Sequence, residues 1–215
     1  HSMRLVNNRF ANGNEFFWDK RAATLEAQTT QPIQDHIEMG FSGENGDLSF
    51  SDLLSKLENI PYYPVLFSNA FGTETISEDR IQQALAQFVR SIQSFDSKYD
   101  EGRSLTANNN QPFPNFSALE NTGKQLFNQP PVFNNTGMRI NGGVGCAGCH
   151  QAPEFDIDPN SRNNGVIGTI SGTETDLTNT RAPSLRDVVK QNGDTNGGFM
   201  HNGAFVELID VINHY

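Results

Sequence analysis

Cysteine is nearly absent from this chain: only Cys146 and Cys149 occur among its 215 residues. Once that pair is used, no thiol remains for a disulfide framework. Basic residues are also scarce. Fifteen Lys and Arg face 25 Asp and Glu, a formal charge of −10 with a pI near 4.8. Such a balance disfavours nucleic acid and anionic membrane surfaces as partners. No apolar run approaches the length of a membrane span, and no signal peptide is recognisable, as expected of a mature or trimmed chain. Hydrophobic residues make up 35% and the mean hydropathy is −0.54, which predicts a polar surface with long loops.

What is present is long enough for one large or two small domains with a buried core. Asn and Gly clusters such as Asn108-Asn109-Asn110 and Asn163-Asn164-Gly165 read as turns, because apolar periodic segments lie between them. The densest chemistry sits in Cys146-Ala147-Gly148-Cys149-His150. A C-x-x-C-H run lets two thiols bond a haem covalently while the adjacent imidazole takes one axial position on the iron. Zinc needs two further ligands, and a His directly after the second Cys suits a tetrahedral site poorly. A redox C-x-x-C pair normally opens a helix after a strand in a βαβ pattern, which is not visible here. A simple Cys146–Cys149 disulfide is the bland alternative. Haem c accounts for all three residues, and a basic or weakly charged redox partner would suit the acidic chain.

The chain opens with His1-Ser2-Met3-Arg4, either a tag remnant followed by native sequence or native throughout, so a trimmed amino terminus is expected. Asp19 can cap a helix running to about Gln31, where Pro32 turns the chain into 33–40. Trp18, the sole tryptophan, sits just before it and by composition is core filler. Ser49-x-x-Asp52 starts a short helix to Leu57 that Pro61 and Pro64 end. Thr75-x-x-Glu78 opens a longer one with Ile81, Ala84, Leu85, Phe88, Val89 and Ile92 on its apolar face. The Asn- and Pro-rich stretch 100–114 reads as a connector and a domain boundary. Ser117-x-x-Glu120 caps another helix through Phe127, and Gly137 to Gly145 leads into the haem motif. The polar stretch from His150 to Thr180 reads as loop.

Arg181 to Arg186 reads as a turn into a short helix, its arginines either solvated or paired with haem carboxylates. In 205–215, Leu208, Val211, Ile212 and Tyr215 share one helical face, with His214 about a third of the way round. By geometry Tyr215 is therefore a better candidate than His214 for the position opposite His150, although a buried Tyr is more often a hydrogen-bonded core residue.

Several of these motifs together, in the same order along almost the whole chain, resemble one family. They are Phe17-Trp18-Asp19-x-Arg21-Ala22, Leu25-Glu26-x-Gln28, Pro32-Ile33-x-x-x-Ile37-Glu38-Met39-Gly40, Cys146-x-x-Cys149-His150, Ala182-Pro183-Ser184-Leu185-Arg186 and Met200-His201-x-Gly203. The set resembles the bacterial dihaem cytochrome c peroxidase and MauG superfamily. The resemblance implies an all-α protein of two cytochrome c-like haem domains with long irregular loops. The carboxy-terminal haem would transfer electrons and the amino-terminal one would reduce hydrogen peroxide. His150 would be proximal ligand of the first, Trp18 an electron bridge, and Arg186 a haem-binding residue.

Gln28 and Glu38 stand where the family keeps two polar residues over the peroxide-binding iron. Cleaving O–O needs a group that takes a proton from the near oxygen and returns it to the leaving hydroxyl, as Glu38 can, while an amide such as Gln28 holds the peroxide. Without the resemblance both would read as exposed helix or turn residues. Tyr215 falls fourteen positions after His201, where the family places the distal ligand of the second haem. The peroxidase branch has Met there and MauG-like members have Tyr, which stabilises ferric iron. The resemblance also implies calcium between the haems, held by Asn7 and by the Asn196 and Gly198 carbonyls.

One departure is large. The family's first C-x-x-C-H motif, upstream of the Trp18 segment, is not in this chain, and the family continues beyond Tyr215. The chain is therefore expected to be an internal fragment with one haem. Residues 1–112 would be a partial peroxidatic domain and 113–215 a truncated electron-transfer domain. The implied setting is periplasmic, with a small cytochrome c or cupredoxin as electron donor; a homodimer is one assembly it allows. Two other functions stay open: a monohaem electron carrier, which gives Trp18, Gln28 and Glu38 no role, and a MauG-like oxidase acting on a partner protein.

Overall fold

The computed structural model describes residues 2–11, 16–157 and 181–215, with Asp156 and Ile157 as backbone. The turn expected at Asn163-Asn164-Gly165 and most of the loop expected up to Thr180 lie outside the described residues. Among those described, the fold is mostly helical with four short strands. The chain divides into two units, Asn14–Ser91 and His1–Gly13 with Ile92–Tyr215.

In the Asn14–Ser91 unit, α1 (Leu25–Thr29) starts later than Asp19 would place it, with the Thr24 hydroxyl accepting from Ala27 N–H at 3.0 Å. Asp19 instead accepts from the Arg21 amide and guanidinium, inside a turn closed by Phe16 and Ala22. Phe17 and Lys20 both have positive φ there, 68° and 63°. That tight reversal is incompatible with a helix. Pro32 opens α2 (Gln31–Gln34) rather than ending a helix, since a first-turn proline has no intrahelical N–H bond to lose.

The Ser49/Asp52 capping box forms as expected and starts α3 (Phe50–Glu58). Pro61 and Pro64, read above as terminators, lie at the cap and first turn of α4 (Tyr62–Phe71), whose end is capped by Gly72 at φ 80°. Phe67, Ile76 and Ile81 form the buried centre, with Phe50, Leu54, Leu57, Tyr63, Phe71 and Leu85 around it. α5 (Glu78–Ser91) buries Ile81, Ala86 and Val89, whereas Phe88 is 65% exposed and Ala84 is exposed. The buried face is turned because α5 packs on α1 through polar groups as well. Thr30, buried, donates to Glu78 Oε1 at 3.0 Å and accepts from Gln82 Nε2 at 2.9 Å, while Gln34 Nε2 reaches the same Glu78 oxygen at 2.7 Å.

In the other unit, the stretch read as a connector holds α6 (Lys98–Ser104), started by a Ser97/Asp100 capping box. α6 lies close against Phe113: a Cβ on Gly102 would come within 2.8 Å of the Phe113 Cβ. α7 (Ala118–Asn128) begins at the expected Ser117/Glu120 box. There Lys98 Nζ lies 2.7 Å from Glu120 Oε1, and the Lys98 and Ser117 hydrogen bonds pull the Glu120 carboxyl down to about 2. A depressed carboxylate stabilises the fold above its unfolded value and ceases to do so as pH falls through its folded one. The Glu120 contribution is therefore expected to be full above pH about 4.5 and lost as pH falls toward about 2. Acid titration of stability with Glu120→Gln checks this, because the variant should flatten the decline across that window.

An antiparallel hairpin of β1 (Pro131–Phe133) and β2 (Arg139–Gly142) follows α7, with an irregularity between Val132 and Phe133. β3 (His150–Gln151) pairs with β4 (Asp156–Ile157). Residues 181–185 form no helix, and α8 (Leu208–His214) closes the described chain.

Candidate haem site

The segment before the thiols is glycine because backbone lies against backbone there. Gly143 N–H donates to the Pro130 carbonyl and Val144 N–H to the Leu126 carbonyl at 2.9 Å. A Cβ on Gly145, at φ 76°, would meet Pro131 Cδ at 2.8 Å. Held this way, Cys146–Gly148 forms one 3₁₀ turn in which Cys149 N–H donates to the Cys146 carbonyl. Both sulfurs are free of a disulfide, with Cys146 half-buried and Cys149 exposed. Burial pushes the Cys146 thiol up, so it stays protonated at neutral pH.

His150 follows at the start of β3, half-buried. Its Nδ1 lies 3.2 Å from the Phe155 carbonyl oxygen. A carbonyl can only accept, so Nδ1 carries the proton and the lone pair is on Nε2. Burial holds the imidazole below its ordinary pKa, against the opposing pull of the Phe155 and Pro183 carbonyls. A neutral ring with its proton fixed on Nδ1 is the state in which histidine ligates a metal. Phe155 is itself fixed by Tyr99 and Phe127, whose rings stand edge-on to it at 4.7 and 5.7 Å. Two unjoined thiols and a neutral imidazole fit covalent haem c. Large apolar side chains also stand exposed in this unit, with Val132, Phe133, Met138 and Ile140 on the hairpin and Ile209 and Ile212 on α8.

Tyr215 ends α8 with 54% of its surface exposed, its ring edge-on to His214 at 5.1 Å. His214 is half-buried and 5.5 Å from the Phe205 ring, so the inward face of α8 carries Leu208, Val211 and His214, and Tyr215 lies off it. Arg186, expected to be solvated or on haem carboxylates, is 5% exposed with every N–H taken by protein acceptors, including both oxygens of Asp100. It has no donor left for a haem carboxylate. Asn7 is fully buried, giving Nδ2 to the Ser94 carbonyl and Glu154 Oε2 and accepting the Ser94 amide on Oδ1. The Asn196 carbonyl accepts from the Arg4 guanidinium, and Gly198 lies against Gly203. A guanidinium on that carbonyl repels a second cation, so these residues do not fit calcium as they stand.

In the Asn14–Ser91 unit, Trp18 is half-buried within the Phe16–Ala22 turn and Glu38 is exposed on the turn after α2. That turn is tied down by Glu38 N–H and Gly40 N–H to the Asp35 carbonyl and by Met39 N–H to the Pro32 carbonyl. Gln28 lies on α1, and its side-chain carbonyl oxygen is buried with no donor among the described residues. Sequence reasoning did not find Asp100, Glu154 or Phe155, which surround the His150 loop. Only Asp100 carried a local signal, the Ser97 capping box.

A thiol pair followed directly by a histidine is the arrangement that attachment of haem c requires. The chain belongs to the dihaem cytochrome c peroxidase and MauG family: residues 1–108 match the family model described as di-haem cytochrome c peroxidase. That match ends before the haem motif, so two separate stretches point the same way. Methylamine utilization protein MauG of Methylophilus methylotrophus is 32% identical over 205 residues, 92% of this chain and 52% of the relative. MauG of Methylorubrum extorquens is 29% identical over 213 residues, 94% of this chain and 51% of its own length. Cytochrome c551 peroxidase of Nitrosomonas europaea is 26% identical over 207 residues, covering 91% and 52%. The chain thus spans about half the length of the curated relatives it matches.

Proposed function

We propose that this chain is part of a periplasmic haem peroxidase that reduces hydrogen peroxide with electrons relayed through a haem c on Cys146, Cys149 and His150. Cys146 and Cys149 would hold the haem through thioether bonds, and His150 Nε2 would be the nitrogen that ligates its iron. Haem iron in this family supplies the site that takes peroxide and the electrons that cleave it. The chain's own residues handle the rest. Gln28 accepts a hydrogen bond from the peroxide O–H, and Glu38 takes the proton of the near oxygen and returns it to the departing hydroxyl. Trp18, in the same unit, serves electron transfer. The acidic chain suits a basic or weakly charged donor, a small cytochrome c or cupredoxin.

The observation that carries the peroxide reading is the Gln28 carbonyl oxygen, buried without a donor among the described residues. Buried acceptors are nearly always bonded, so one left open invites a ligand that donates. A simple electron carrier has no use for it. A second reading, an oxidase acting on a partner protein, is supported by the two MauG relatives at 32% and 29% identity rather than by Tyr215, which is exposed at the end of α8. Steady-state oxidation of a reduced cytochrome c or cupredoxin by the full-length, haem-loaded protein separates them. Peroxide-dependent turnover supports the peroxidase. Haem-loaded protein that never oxidises a donor removes it.

A further inference from the structure

Three consecutive carbonyls next to the haem histidine are held by three consecutive residues of a distant stretch. The Pro153 carbonyl accepts from Arg186 Nε at 3.2 Å and Nη2 at 2.7 Å. The Glu154 carbonyl accepts from the Ser184 hydroxyl at 2.8 Å. The Phe155 carbonyl accepts from Leu185 N–H at 3.2 Å, and the same oxygen takes the His150 Nδ1–H. Arg186 anchors this clamp from behind. Nη1 donates to the Ser94 carbonyl at 2.8 Å, and both Nη groups fork onto Asp100 at 2.8 and 2.7 Å. Its guanidinium lies over the Phe95 ring at 4.8 Å, with Glu154 Oε2 3.7 Å from Nε. No rotation of the 153–155 segment is available while these bonds stand.

We propose that Arg186 is a positioning residue for the haem ligand. By fixing the 153–155 segment it holds the Phe155 carbonyl against His150 Nδ1–H, and so sets how basic the axial imidazole is and where the haem potential lies. The inference rests on haem attachment at Cys146 and Cys149. A stronger Nδ1 hydrogen bond makes the imidazole a better donor to iron and favours the ferric state, which lowers the potential. Loosening the clamp therefore raises it.

The test uses the full-length, haem-loaded protein with Arg186→Lys, which keeps the charge but loses the planar fork. The midpoint potential of this haem is expected to rise, and the Leu185 amide to exchange hydrogen faster than in the parent. Arg186→Gln is the control for charge alone. If Arg186 acted only as a nearby cation, the Lys variant would match the parent, the Gln variant alone would shift, downward, and the proposal would be overturned. Should Arg186→Lys not fold, Ser184→Ala removes one clamp bond, with the same upward direction and a smaller shift. Intact mass is recorded on every sample. A parent without covalent haem sinks the attachment reading, whereas haem-loaded variants with unchanged potential and exchange sink this one.

Discussion

Replacing Glu38 by Gln in the full-length, haem-loaded protein is expected to lower kcat/KM for peroxide by about 10²–10⁴, the usual contribution of a positioned acid–base group. Gln keeps the size of the side chain and can still hydrogen-bond, but it cannot take up the proton that must move between the two oxygens. Stability should not change beyond about 0.5 kcal/mol, because Glu38 is exposed and the backbone bonds of its turn do not involve its side chain. Steady-state peroxide reduction with an excess of reduced donor measures the first, and urea unfolding the second. A change of less than about threefold in kcat/KM would remove Glu38 from the acid–base role.

The second large effect concerns stability. Asp100→Ala leaves the buried Arg186 guanidinium without its forked partner. Breaking one side of a buried pair costs about 3–5 kcal/mol, and the low end is expected because the Glu154 carboxylate remains 3.7 Å away. Burial alone would raise the Asp100 carboxyl, but hydrogen bonds from Arg186 and Ser97 and the Arg186 charge outweigh it and hold the group below its ordinary value. The stabilisation it brings is thus present at neutral pH and lost under acid. Urea denaturation at pH 7 should show a lower midpoint for the variant, and that difference should shrink as the pH falls below the usual carboxylate range. A variant as stable as the parent at pH 7 would mean that the pair is replaceable.

What the sequence made legible was local. The Ser49/Asp52 and Ser117/Glu120 boxes form because both partners lie within one turn, and the same chemistry at Ser97/Asp100 was hidden only by its Asn- and Pro-rich surroundings. The haem motif was legible for the same reason, being five contiguous residues. The α5 face was misjudged because Gln82 and Glu78 meet Thr30 there, and an apolar period cannot register a polar contact. α4 is hidden in the sequence because Pro61 and Pro64 resemble stop signals, although proline is tolerated at a cap and in a first turn. The clamp on His150 joins residues about 30 apart in sequence, and nothing local announces which carbonyl will meet which donor.

Intact mass with a pyridine haemochrome spectrum bears on the central claim most directly. The chain, expressed where haem c is matured, should gain the mass of one haem and show the spectrum of two thioether bonds. Cys146→Ala/Cys149→Ala should return to the bare polypeptide mass. A parent chain that carries no covalent haem under those conditions, or that keeps its haem when both thiols are gone, would contradict the account.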